Sequence, residues 1–121
     1  ACQKAGEMGD RLTTGLQEII AKYGLPFVAW NEGSVCHLET VGTMHYVVDW
    51  KRPWTIPGVL SATSERKKEM QYMGAAYMAE GLVTLAGSRL YTSAAYTPKM
   101  IDQALQCFDK VLANVAVKPA E

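Results

Sequence analysis

The sequence predicts an α+β fold, a small mostly antiparallel sheet of three to four strands with helices packed on one face. Three observations carry this. Apolar residues recur at three-to-four spacing near both ends of the chain, as on the buried stripe of a helix. Short alternating segments come in pairs around turn residues, as in hairpins. No strand-helix-strand alternation runs through the chain, which argues against a parallel sheet.

Taken in order, residues 6–23 read as an amphipathic helix, with Met8, Leu12, Leu16, Ile19, Ile20 and Tyr23 on one stripe. Its stop signal is strong: Lys22 in the last turn, Gly24 suited to a left-handed cap, Leu25 to fold back and Pro26 to block continuation. A strand over 26–30, a four-residue turn at 31–34 and a strand over 35–40 follow as an antiparallel hairpin. Between 41 and 63 the periodicity is lost among Gly42, Pro53, Pro57, Gly58, Tyr46, Trp50 and Trp54, which reads as a long loop.

Ser64 is the expected cap of a second helix running to about residue 80, with Met70, Met73, Gly74 and Tyr77 inward and Gly81 ending it. Short strands are expected over 82–85 and 90–93, around the turn Ala86-Gly87-Ser88-Arg89. Thr97 then caps a last helix with Pro98 at its first position. Its apolar stripe is Ile101, Leu105, Phe108, Val111, Leu112 and Val115.

The chain has 121 residues, enough for one domain with a core of its own. Its 12 basic and 12 acidic side chains sum to zero charge, which disfavours nucleic acid as a main partner because phosphate binding needs a basic surplus. The one basic cluster, Arg66-Lys67-Lys68, is flanked by Glu65 and Glu69 and reads as a solvated helix face. No apolar run approaches the roughly 20 residues of a membrane span. Cys2, Cys36 and Cys107 are odd in number, widely spaced and without a CxxC pair, so a reducing cytoplasm is the expected setting. Cys107 falls on an apolar helix face and reads as a small core residue. Ala1 opens the first helix without a capping residue, and the chain is expected to be cut from a longer one.

Self-sufficient chemistry is scarce. His37, His45 and Glu39 lack the spacing and the fourth ligand of a metal site. Phosphate-cradling glycine patterns are absent. Gly33-Ser34 and Gly87-Ser88 are turn signals first, although either can aim backbone N–H groups at an anion. Arg89 has no acidic neighbour nearby in sequence and can offer a bidentate fork to a carboxylate, or be an ordinary hairpin arginine. From the residues alone, the chain is an α+β domain without a complete active site, and a free-standing binding domain is a live reading.

Two stretches carry a resemblance. Gly9, Leu12, Gly15, Leu16, Gly24, Leu25, Pro26, Gly33 and Ser34 follow the helix, strand and Gly-Ser hairpin that enter the small domain of class III pyridoxal-phosphate-dependent aminotransferases. More specific is the segment with Ser93, Ala95, Thr97, Ile101 and Asp102, which resembles that family's Ser-x-Ala-His-Thr and Ile-Asp pattern. The likeness covers about residues 6–40 and 76–116 and points to the branch containing glutamate-1-semialdehyde aminomutase.

The resemblance implies a C-terminal small domain spanning 1–121, with residues 1–24 a helix entering from a large domain and 25–121 an α+β body. It implies a homodimer whose large domain binds most of the pyridoxal 5'-phosphate and supplies the Schiff-base lysine. The lysines of this chain all lie past that position, so the domain alone is expected to be inactive. Two departures matter. Where the aminomutase branch carries a glutamate, this chain reads Ser88-Arg89, and Tyr96 replaces the motif histidine. The reversed charge favours an anionic substrate group. The implied activity is therefore transfer of an amino group to or from an amino or keto acid, with an aminomutase or racemase as the alternative. Arg89, Ser34 and Ser88 are the expected substrate-binding residues, with no catalytic, cofactor-holding or metal-holding residue expected here.

Overall fold

A computed structural model describes residues 1–40, 51–85 and 88–116. Helix α1 spans Cys2–Tyr23, starting four residues before the predicted helix and without a side-chain cap. Met8, Leu12, Leu16, Ile19 and Ile20 form its buried stripe, as their spacing predicts. It stops as the sequence indicates. Gly24 is left-handed (φ 61°), its N–H bonds to the Ala21 carbonyl at 3.2 Å, and the Leu25 N–H bonds to the Ile20 carbonyl at 3.1 Å. These two bonds make a Schellman stop, with Leu25 folded against the core.

Strands β1 (Val28–Glu32) and β2 (Val35–Glu39) pair antiparallel, with Trp30 opposite His37 and Glu32 opposite Val35. The connection is therefore Gly33-Ser34 alone, shorter than the predicted four-residue turn, because Asn31 and Glu32 stay in the ladder. Close packing on α1 explains this tight corner. A Cβ added at Gly9 would lie 2.2 Å from the Gly33 carbonyl oxygen, so only glycine lets the hairpin tip reach the helix.

The predicted loop is shorter than expected. A 3₁₀ turn at Pro53–Thr55 leads straight into α2, Ile56–Ala79, eight residues before the Ser64 start. Pro57 lies in the first turn of α2, where a missing N–H costs nothing, so it opens the helix instead of breaking it. Ser64 is consequently an exposed interior residue and not a cap. Residues 41–50 of the predicted loop, including His45, Tyr46 and Trp50, lie outside the described residues. Among the described side chains of α2, Met73 and Tyr77 are buried, and the Tyr77 ring meets Phe108 edge-on at 5.1 Å. The Tyr77 hydroxyl is buried without a hydrogen-bond partner among the described residues, and burial raises its pKa.

Strand β3, Arg89–Tyr91, is shorter than predicted, and the expected strand over 82–85 is reduced to one bridge between Leu85 and Arg89. Val83 is 84% exposed, and an apolar residue with nothing to pack on gives a strand no reason to persist. The sheet order is β1-β2-β3, antiparallel throughout.

Helix α3, Pro98–Ala116, starts where Thr97 Oγ1 accepts the Met100 N–H at 3.3 Å, the predicted cap. Ile101, Phe108, Val111 and Leu112 are buried and Leu105 is partly so, whereas Val115 is exposed at the end of the stripe. Cys107 is only partly buried, on the flank of that stripe and not in its centre. Helices α1 and α3 pack together over Ala29, Cys36, Leu38 and Leu90 of the sheet, giving the predicted α+β arrangement with one helix-covered face. Burial pushes the Cys36 thiol pKa up, so it acts as a small apolar residue. On the outside, Arg11 forks onto Asp102 with two 2.9 Å bonds, and Lys22 meets Asp109 at 3.2 Å.

Candidate functional site

The sheet pleat sorts the predicted site residues onto opposite faces. Cys36, Leu38 and Leu90 point to the helices, so residues alternating with them point away. On the open face stand Trp30 on β1, His37 and Glu39 on β2, and Arg89 and Tyr91 on β3. Ser88 continues the ladder opposite Leu38 and is buried on the helix side; Arg89, the next residue, is exposed on the other.

Two of the three candidates give backbone groups to structural bonds. The Ser88 carbonyl accepts the Leu38 N–H at 2.8 Å, and its own N–H is donated to the Leu85 carbonyl at 3.3 Å. That N–H is not free to cradle an anion, contrary to the Gly-Ser turn reading; Gly87 lies outside the described residues. The Ser34 carbonyl accepts both the N–H and the hydroxyl of Thr92, at 2.9 and 3.2 Å. Thr92 in turn donates its hydroxyl to the Ala5 carbonyl at 2.7 Å as the shorter of its two bonds, tying α1 to the sheet. Ser34 also sits in the turn before β2, three residues from the partner of Arg89, about 10 Å away at the usual strand rise. The structure does not gather Ser34, Ser88 and Arg89 into one site.

It brings together a different set. Trp30, His37 and Arg89 stand in one row across the three strands. The Trp30 and His37 rings stack at 4.0 Å with 10° between planes. Because Leu38–Ser88 and Ser34–Thr92 carry the ladder bonds, His37 and Arg89 form a non-hydrogen-bonded pair, the kind whose side chains come closest. Glu39, diagonal to Arg89 on this face, is held by Arg66 of α2. Arg89 is therefore left without a carboxylate partner among the described residues. The alternation of β2 alone shows that His37 leaves the core. Its place beside Arg89 depends on register across three strands, which no local pattern contains.

A second concavity lies on the other side of the sheet. It measures about 460 Å³ between α3 and residues 81–83, with Leu82, Tyr96, Met100, Cys107 and Phe108 in its wall and no charged side chain. An anionic ligand has nothing to pair with there. Among the described residues, no group of three His, Cys, Asp or Glu side chains is placed to hold a metal, and no helix is long and apolar enough to cross a membrane.

No protein-family model matches the chain, and no curated protein matches it in sequence. A crystal structure of an omega-transaminase from Sphaerobacter thermophilus does match in shape, with a TM-score of 0.69 at 13% identity over 94% of this chain. The chain has the fold of part of a transaminase. It spans 24% of the length of that protein. At this identity the likeness is one of fold.

The pyridoxal 5'-phosphate implied by the sequence resemblance needs a lysine to hold it. Every described lysine is exposed, Lys22 is engaged by Asp109, and none stands on the open face beside Arg89. A cofactor lysine needs burial or a cationic neighbour to lose its proton near neutral pH. The described residues do not fit that role.

Proposed function

We propose that this chain is the substrate-side small domain of a pyridoxal-phosphate-dependent class III aminotransferase acting on an amino or keto acid. The observation that carries the proposal is Arg89: a guanidinium on the open sheet face, unpaired among the described residues, within a transaminase-like fold. A planar fork of N–H donors suits a carboxylate, and both partners of an amino-transfer reaction on such acids carry one. The cofactor would supply the chemistry at the reacting carbon. This domain's residues would bind and orient the substrate and keep water from it.

The division of labour assigns the lysine and most cofactor contacts to a large domain of the same protein, and a second copy would complete a homodimer. Arg89, where the aminomutase branch has an acid, favours transamination over an aminomutase or racemase reaction. The expected place of work is the cytoplasm, and this domain alone is expected to be inactive.

The protein carrying this domain should be yellow, lose its colour on borohydride reduction and transfer an amino group from an amino acid to a keto acid. A colourless protein that takes up no cofactor would sink the reading; turnover without any second keto acid would move it to a mutase or racemase. Arg89→Ala should lower kcat/KM for carboxylate substrates roughly tenfold or more while the cofactor stays bound. An unchanged kcat/KM would make Arg89 a surface residue.

A further inference from the structure

The row that contains Arg89 holds a second donor. His37 stands directly opposite it in the register of β2 and β3, with its ring laid flat on Trp30 at 4.0 Å. A histidine ring carries at least one N–H whatever its protonation state. Its stack on Trp30 limits the ring to one plane, so that donor is held in a narrow set of directions instead of sweeping through solvent.

The charges around the row decide what it can accept. Glu39, the acid nearest Arg89 on this face, is taken by Arg66. Glu32 lies at the far end of β1 beside the turn, one pair beyond Asn31 and two beyond Trp30. Asp10 is bound by the Asn31 amide at 2.8 Å, on the helix side of the hairpin. The other described neighbours of Arg89 on the face, Leu85 across its bridge, Val35 and Tyr91, carry no charge. A cation and a neighbouring fixed N–H therefore face outward with no anion of their own among the described residues.

We infer that His37 is a second substrate-binding residue, which shares with Arg89 one carboxylate of the amino or keto acid while Trp30 holds the imidazole in place. This rests on the proposed function for the identity of the ligand. Arg89 supplies charge and a fork for both carboxylate oxygens, and His37 adds a third bond from one side. The carboxylate is thereby turned to a single orientation. Trp30 is a positioning residue, because it acts only through the imidazole. The row selects acids over the matching ketones or amines by leaving two buried-on-binding donors unpaired when the carboxylate is missing.

The test uses the chain itself, with pyruvate and acetone as paired probes and nuclear magnetic resonance as the readout. Pyruvate should shift the His37 ring signals and the Arg89 side-chain N–H together, and acetone should shift neither. Arg89→Ala should weaken pyruvate binding roughly tenfold or more, and His37→Phe, which keeps a stackable ring without a donor, roughly fivefold. His37→Asn should recover part of that loss. Trp30→Ala should resemble His37→Phe, and Trp30→Phe should bind nearly as well as the parent.

No pyruvate shift in the parent chain, or parental affinity in His37→Phe, would overturn the inference. Cofactor uptake and amino transfer are measured separately on the protein carrying the domain. Pyruvate bound by the row without any amino transfer would leave the row standing and remove the proposed function. Amino transfer that depends on Arg89 but has a parental KM in His37→Phe would do the reverse.

Discussion

The two faces of the sheet are built from the same strands and have opposite characters. On the helix side, Cys36 and Leu38 are at most 1% exposed, packed under α1 and α3. On the open side, the residues between and beside them are Trp30, His37, Glu39, Arg89 and Tyr91, with Trp30 44% exposed. One residue step along β2 separates a side chain that holds the fold from one that can meet a ligand. The lesson is that stability and recognition here alternate along the chain with a period of two and occupy no separate segments.

That contrast is breakable at adjacent positions. Leu38→Ala removes a side chain that is 1% exposed and should destabilise the domain by about 2–5 kcal/mol in a denaturant titration. His37→Ala, one residue earlier, should stay within about 0.5 kcal/mol of the parent. Similar losses at the two sites would mean that the open face is also part of the core. Gly9→Ala comes next, because its Cβ would lie 2.2 Å from the Gly33 carbonyl and must push the hairpin tip off α1. A loss of roughly 1–3 kcal/mol is expected, with a lower melting temperature as the readout.

The smallest effect belongs to the surface pair of Arg11 and Asp102. The hydrogen bond from Arg11 lowers the Asp102 pKa, partly offset by desolvation, with the charge of Arg11 adding a lesser lowering. A depressed folded-state pKa gives stability that is present above the ordinary carboxylate pKa and lost as pH falls through the folded value. Melting temperature should therefore drop slightly faster below pH 4 in the parent than in Asp102→Asn, where this contribution is gone; the onset follows the ordinary carboxylate range of about 3.9. Identical acid profiles would show that the pair is screened out by solvent.

The segment with the strongest family likeness turns out to consist of structural residues. Ser93 Oγ accepts the Ala95 N–H at 3.1 Å, Thr97 caps α3, Ile101 is buried and Asp102 anchors Arg11. Gly9 and Gly33, both on the first resembling stretch, touch each other across the hairpin contact. These positions are recognisable in sequence because each has a local or close-packing duty that few residue types can perform. Ser34 and Ser88, the expected substrate-side serines, also give their backbone carbonyls to the sheet, a use that side-chain identity does not reveal.

The sequence by itself determined the two outer helices, the Schellman stop at Gly24, the Thr97 cap and the hairpin, since all depend on signals a few residues apart. It misplaced the start of α2, because Pro57 has opposite meanings inside a helix and in its first turn. Only the tertiary structure decided that Ser88 is buried while Arg89 is not, that Arg66 takes Glu39, and that His37 stands between Trp30 and Arg89. Those outcomes require the register of three strands and the path of α2. Register is set by which face the whole sheet buries, a property no short window of sequence contains.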